Sequence, residues 1–149
     1  MFKVNLMLAD SAQVAGGKLY VLGGGWSMIV PGGPFAVCGL IDIPWYQATD
    51  WHTLKLELVD ADGEAVMVPT PEGGEQPVAS EPPRYRPTIG PHVKPGTSLG
   101  WPFALNVAPG LPLEPGGIYE WRLTIDGKQE EGWTLPFSVM PVDGFQEAA

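Results

Sequence analysis

Apolar and polar residues alternate with period two along most of this chain. Leu54-Lys55-Leu56-Glu57-Leu58 runs into Asp60-Ala61-Asp62-Gly63 and then Val66-Met67-Val68. Tyr119 to Ile125 alternates in the same way, Asp126-Gly127 follows, and Trp133 to Val139 resumes the pattern. Such alternation places one side chain in a core and the next in water, as in a half-buried strand. Asp-Gly accepts the positive φ that a tight hairpin turn requires, so both stretches predict β-hairpins, over 54–68 and 118–140.

The rest of the chain extends the pattern. Phe2, Val4, Leu6 and Leu8 alternate with Lys3, Asn5 and Met7 and predict a first strand. Ala15-Gly16-Gly17 predicts a turn before Lys18 to Leu22, and Gly23-Gly24-Gly25 a bulge or bend before Trp26 to Val30. Phe35 to Ile43 is apolar at nearly every position, which predicts a central strand covered on both faces. Trp101 to Val107 alternates again, but Pro102 assigns it to an edge or a bulge. No sustained 3.6-residue stripe occurs, and Asp10 to Ala15 offers one helical turn at most. Residues 69–95 hold eight prolines in 27 positions. Proline removes backbone donors, so 69–98 is expected as a long loop, or as one short edge strand around Arg84 to Ile89. The expectation is an all-β, single antiparallel β-sandwich, immunoglobulin-like or a related Greek key, with eight to ten strands over residues 1–142. A closed barrel is its rival. Residues 143–149 are expected as a flexible tail.

Composition sharpens this picture. Gly and Pro make up 37 of 149 residues, and they sit between apolar runs, which suits many short strands and many turns. The net charge of −9, with only eight Lys and Arg, argues against nucleic acid and against an anionic membrane surface. Cys38 is the sole cysteine, so no internal disulfide forms, and a cytoplasmic location is expected. The start of the chain lacks a signal-peptide pattern, and no apolar run reaches the length of a membrane span.

Candidate chemistry is sparse. Cys38 lies inside the expected central strand and behaves there as a small buried hydrophobe. His52, His92 and Cys38 share no metal-ligand spacing, so no metal or other cofactor is expected. Asp60-Ala61-Asp62-Gly63-Glu64 lacks the length and distal Glu of a calcium loop. The glycine clusters precede no helix and no Gly-Lys-Ser or Gly-Lys-Thr, which excludes a phosphate cradle of that type. Asp42, Asp50 and His52 offer a minor hydrolase reading, with Asp50 and His52 on one strand face; no serine sits in a nucleophile-elbow context.

Two segments stand out as contact surfaces. Trp101, Trp121 and Trp133 are in phase with core positions, whereas Trp45, Tyr46 and Trp51 lie in a connection after Pro44. Those three cover the core end, form a contact patch, or stack on a sugar ring. Arg84-Tyr85-Arg86, His92 and Lys94 form a basic island in an acidic chain, suited to docking an acidic patch on a partner or on another copy. The preferred expectation is therefore a non-enzymatic binding or assembly module whose partner is a protein, self or other. Trp45, Tyr46, Trp51, Arg84, Tyr85, Arg86 and His92 are its binding residues. A ligand- or carbohydrate-binding sandwich is the alternative.

The segment Leu8-Ala9-Asp10-Ser11-Ala12-Gln13-Val14-Ala15-Gly16-Gly17-Lys18-Leu19-Tyr20-Val21-Leu22-Gly23-Gly24-Gly25-Trp26 resembles the opening of a family of small bacterial proteins classed only as a domain of unknown function. The run from Leu54 to Gly63 and the closing Phe137-Ser138-Val139 fit the same layout. The resemblance implies a bacterial source and a β-sandwich. It carries no activity, cofactor or catalytic residue.

Overall fold

The computed structural model describes residues 2–141. Eleven strands form in order: β1 (Lys3–Ala15), β2 (Lys18–Trp26), β3 (Met28–Ile29), β4 (Phe35–Ile43), β5 (Leu54–Asp60), β6 (Met67–Pro69), β7 (Glu75–Pro77), β8 (Ala79–Ser80), β9 (Leu99–Val107), β10 (Ile118–Ile125) and β11 (Thr134–Val139). One four-stranded sheet runs β2-β1-β4-β9, one five-stranded sheet runs β3-β11-β10-β5-β8, and β6 and β7 form a separate ribbon. The only helical element among the described residues is a 3₁₀ turn at Trp45–Gln47, and no helix is long and apolar enough to cross a membrane.

The two large sheets pack face to face on one core. Leu8, Phe35, Val37 and Ile41 come from the first sheet, and Leu56, Trp121, Leu123 and Phe137 from the second. Phe35 meets Trp121 and Phe137 across the gap, at centroid distances of 6.4 and 5.9 Å. In β10, Tyr119, Trp121, Leu123 and Ile125 are buried, and the residues between them are less so, as period two requires. Asp126 and Gly127 both take positive φ (52° and 76°), the mirror-image turn that suits strand twist.

The near-continuous apolar run of β4 has two covers. Its inner face joins the main core, and Ala36 and Cys38 on the outer face pack with Ala9 and Ala12. A bulge at Leu8/Ala9 shifts the register, and the β1–β2 hairpin continues past the end of β4. Asn106 of β9 holds that hairpin: its amide donates to the Ala12 C=O at 2.7 Å, and its oxygen accepts from the Ala12 N–H at 3.2 Å. Burial pushes the Cys38 thiol pKa up, which keeps it protonated and unreactive.

Several expectations are corrected. Asp10 to Ala15 is strand, because its backbone pairs with β2. The expected Trp26–Val30 strand breaks at Ser27, where the chain changes sheets; β3 then lies parallel to β11, so the sandwich is not wholly antiparallel. The strand count exceeds eight to ten because β3, β6, β7 and β8 have two or three residues each. The hairpin at 54–68 closes at the Val59–Ala65 bridge, but β6 then leaves to pair with β7. The edge strand of the proline-rich region is Ala79–Ser80 on β5, whereas 84–89 contributes one bridge, at Tyr85. The expected tail at 143–149 lies outside the described residues.

Gly39 shows how tightly β4 is set. A Cβ there would collide with the Asn5 carbonyl oxygen of β1 and lie 3.0 Å from the Phe103 ring, which fills the glycine's place in the core. Gly39→Ala is expected to cost about 1–3 kcal/mol, read as a lower urea midpoint. An unchanged midpoint would mean that β1 and β4 do not approach as described.

Candidate functional site

The connection from β4 to β5 is built by short-range bonds. After Pro44, the 3₁₀ turn closes through Gln47 N–H to Pro44 C=O (2.9 Å) and Ala48 N–H to Trp45 C=O (3.1 Å). Asp50 N–H then bonds Gln47 C=O at 3.3 Å. From there the alternation of β5 already operates: Trp51 and Thr53 are exposed, and His52 and Leu54 are buried.

His52 fastens this segment from below. Its Nδ1 lies 2.7 Å from Asp126 Oδ2, and its Nε2 lies 2.8 Å from the Gln47 carbonyl. The ring thus bridges a carboxylate and a backbone carbonyl, one at each nitrogen. Asp126 also accepts the Thr53 N–H at 2.8 Å, and its own N–H donates to the Thr53 C=O at 3.0 Å. Phe2 meets the His52 ring edge-on at 5.2 Å.

The backbone of His52 carries the basic segment. His52 N–H donates to Tyr85 C=O at 2.7 Å, and Tyr85 N–H returns to His52 C=O at 2.8 Å. This antiparallel bridge settles which side chains meet. Tyr85 turns inward, stacks on Trp101 (5.2 Å, 6° between planes) and donates its hydroxyl to the Gly100 C=O. Burial raises its phenol pKa. Its neighbours Arg84 and Arg86 turn outward with Trp51. Arg84 Cζ lies 4.3 Å from the Trp51 ring centroid, and Arg86 Cζ lies 4.6 Å from it.

Two cations therefore share one half-exposed indole (45%). Neither guanidinium has a carboxylate within ion-pair distance among the described residues; the ion pairs there are His52–Asp126, Lys55–Glu57 and Arg122–Glu120. Contact with a ring uses the guanidinium face and leaves N–H edges for planar acceptors such as carboxylates. Beside them runs an open groove of about 490 Å³, lined by Ala48, Thr49, Trp51, Arg86, Thr88 and Ile89 among others.

The other candidates fall elsewhere. Tyr46, 72% exposed, lines a different hollow with Phe2, Asp126 and Trp133. Trp45 is half-buried and His92 is exposed, and neither lines the groove. Trp45, Tyr46 and Trp51 thus do not form one stacking platform. The hydrolase grouping of Asp42, Asp50 and His52 is not assembled. Asp50 is exposed, Asp42 sits in β4 opposite Lys3 and Gly100, and the carboxylate on His52 belongs to Asp126. Sequence reading missed Asp126 because Asp-Gly already had a use as a turn. Among the described residues, no group of three or more His, Cys, Asp or Glu is placed to hold a metal.

Over residues 5–140 the chain matches the model of a family of unknown function (DUF6941), and it belongs to that family. Comparison with curated proteins and with solved structures returned no match.

Proposed function

We propose that this protein is a non-enzymatic binding module, and that Trp51, Arg84 and Arg86 dock an acidic, extended segment of a protein partner. One observation supports the reading: in a chain with 17 acidic and eight basic residues, these two arginines have no carboxylate partner among the described residues and both lie over one exposed indole. The stacking holds both side chains in place, so less rotamer entropy is lost on binding. The groove toward Ile89 accepts an apolar residue between the partner's carboxylates. A sugar ring suits Trp51 less well, because the guanidiniums already lie over it. The same reading places the protein in the cytoplasm of a bacterium, supported by the buried, unpaired Cys38 and by the resemblance of its opening segment.

The test is fluorescence polarisation with a labelled Glu-Glu-Leu-Glu-Glu peptide and its Lys-for-Glu counterpart. Only the acidic peptide is expected to bind, more weakly as salt rises. Arg84→Glu with Arg86→Glu is expected to reduce the affinity at least about tenfold without moving the melting temperature. Equal binding by the parent protein and the double variant would refute the assignment.

A further inference from the structure

A sheet edge exposes backbone donors and acceptors, and proteins protect such edges with proline, bulges, charge or brevity. Three of the four edges of the two large sheets follow that rule. β9 carries Pro102, and β3 and β8 have two residues each. β2 is the exception: nine residues long, Lys-Leu-Tyr-Val-Leu-Gly-Gly-Gly-Trp, with one charge, at its first position. No strand lies on its outer side among the described residues.

The direction of its free groups follows from the register. Ala12 pairs with Val21, yet the Ala12 N–H and C=O turn away from β2 to the Asn106 amide. Ala12 and Val21 are therefore a non-hydrogen-bonded pair, and the Val21 N–H and C=O point to the open side. Alternation adds those of Leu19. Further along, Gly23 has φ +62° and its C=O accepts the Trp26 indole N–H at 2.9 Å, so the straight, open stretch is Lys18–Leu22. Past Lys18 its side chains are apolar, and three of them are exposed: Tyr20 at 55%, Val21 at 38% and Leu22 at 69%. The hairpin extends past the last β1–β4 pair, Ala9–Ala36, which leaves this edge sterically accessible.

We infer that β2 pairs antiparallel with β2 of a second copy of this chain, about a two-fold axis at Tyr20, joining two four-stranded sheets into one. The stretch is complementary to itself. Leu19 and the partner's Val21 exchange both backbone hydrogen bonds, and Val21 and the partner's Leu19 do the same. Tyr20 faces the partner's Tyr20 across a close, non-hydrogen-bonded pair, and Leu22 lies against the aliphatic stem of the partner's Lys18. No carboxylate of the strand enters the contact.

Sedimentation equilibrium on the full chain tests this. The parent protein is expected to dimerise in the micromolar range, more tightly as salt screens the −9 charge of each copy. That salt trend is opposite to the one expected for acidic peptide at the arginines, so failure of either proposal is distinguishable from failure of the other. Val21→Pro removes an N–H that the fold does not use, and Tyr20→Lys sets two cations across the axis; each is expected to weaken the dimer at least about tenfold. Under oxidation Tyr20→Cys is expected to cross-link into a covalent dimer, since facing Cα atoms of such a pair lie about 4.5 Å apart. Leu22→Cys is not, because the two Leu22 positions lie about 13 Å apart along the strands. A parent protein that stays monomeric at high concentration and high salt overturns the inference. So does a dimer that Tyr20→Lys leaves intact, or cross-linking through Leu22→Cys but not Tyr20→Cys.

Discussion

Trp121→Ala is expected to lower the unfolding free energy by about 3–5 kcal/mol, most of what a domain of this size possesses. Trp121 is fully buried in β10, opposite Leu58 of β5 on one side and Leu135 of β11 on the other. Its ring also meets Phe35 of the facing sheet. Truncation would leave a cavity touching three strands of one sheet and the centre of the other. Guanidinium unfolding monitored by far-ultraviolet dichroism reads the effect directly. Trp121→Phe separates the contributions, because the indole Nε1 has no hydrogen-bond partner among the described residues. Removing a buried, unpaired donor relieves a desolvation cost of about 1–3 kcal/mol, which offsets part of the lost packing. The phenylalanine variant is therefore expected to lose under about 2 kcal/mol. If alanine and phenylalanine cost the same, packing at Trp121 is not what joins the sheets.

The sandwich was legible wherever burial is one-sided and the strand is long. β10, and β5 as far as Leu58, alternate because each lies inside its sheet with one face on the core. The Phe35–Ile43 run was readable as doubly covered, although nothing local names its outer cover. That cover is a hairpin folded back from β1, held by an asparagine 94 residues away from Ala12. Strands of two or three residues carry no period at all, so β8 was invisible, and β3 was legible only as part of the expected Trp26–Val30 strand, without the change of sheet at Ser27. In the proline-rich region, backbone bonds such as Val78 N–H to Val66 C=O decide the path, and those depend on partners distant in the chain.

The candidate site shows the same division. Trp51, Arg84 and Arg86 stood out individually, as aromatic or basic residues out of phase with a core. Their meeting depends on one bridge between His52 and Tyr85, 33 positions apart by residue number. Tyr46 and His92 shared the same local signals and went elsewhere. Composition marks a residue as available for contact, and only long-range pairing decides its neighbours.

His52→Ala is expected to cost about 2–4 kcal/mol and to weaken acidic-peptide binding several-fold, although His52 does not touch the docking surface. Its ring ties Gln47 and Asp126 together inside the protein, and its backbone holds Tyr85 between the two arginines. Losing the ring leaves the Asp126 carboxylate without its shortest partner and frees the turn that sets the direction of Trp51. Asp126→Asn keeps an oxygen for the Thr53 N–H and tolerates φ of 52°, so it is expected to cost only about 1–2 kcal/mol. Lys55→Ala is the comparison for a solvent-facing pair. Lys55 and Glu57 sit 4.0 Å apart with both side chains well exposed, and breaking them should change stability by under about 0.5 kcal/mol. Chemical denaturation ranks the three variants, and polarisation with the acidic peptide shows whether affinity follows the same order. A His52→Ala protein as stable as Lys55→Ala would mean that the buried ring does not hold the two segments together, and the arginines would then need another support.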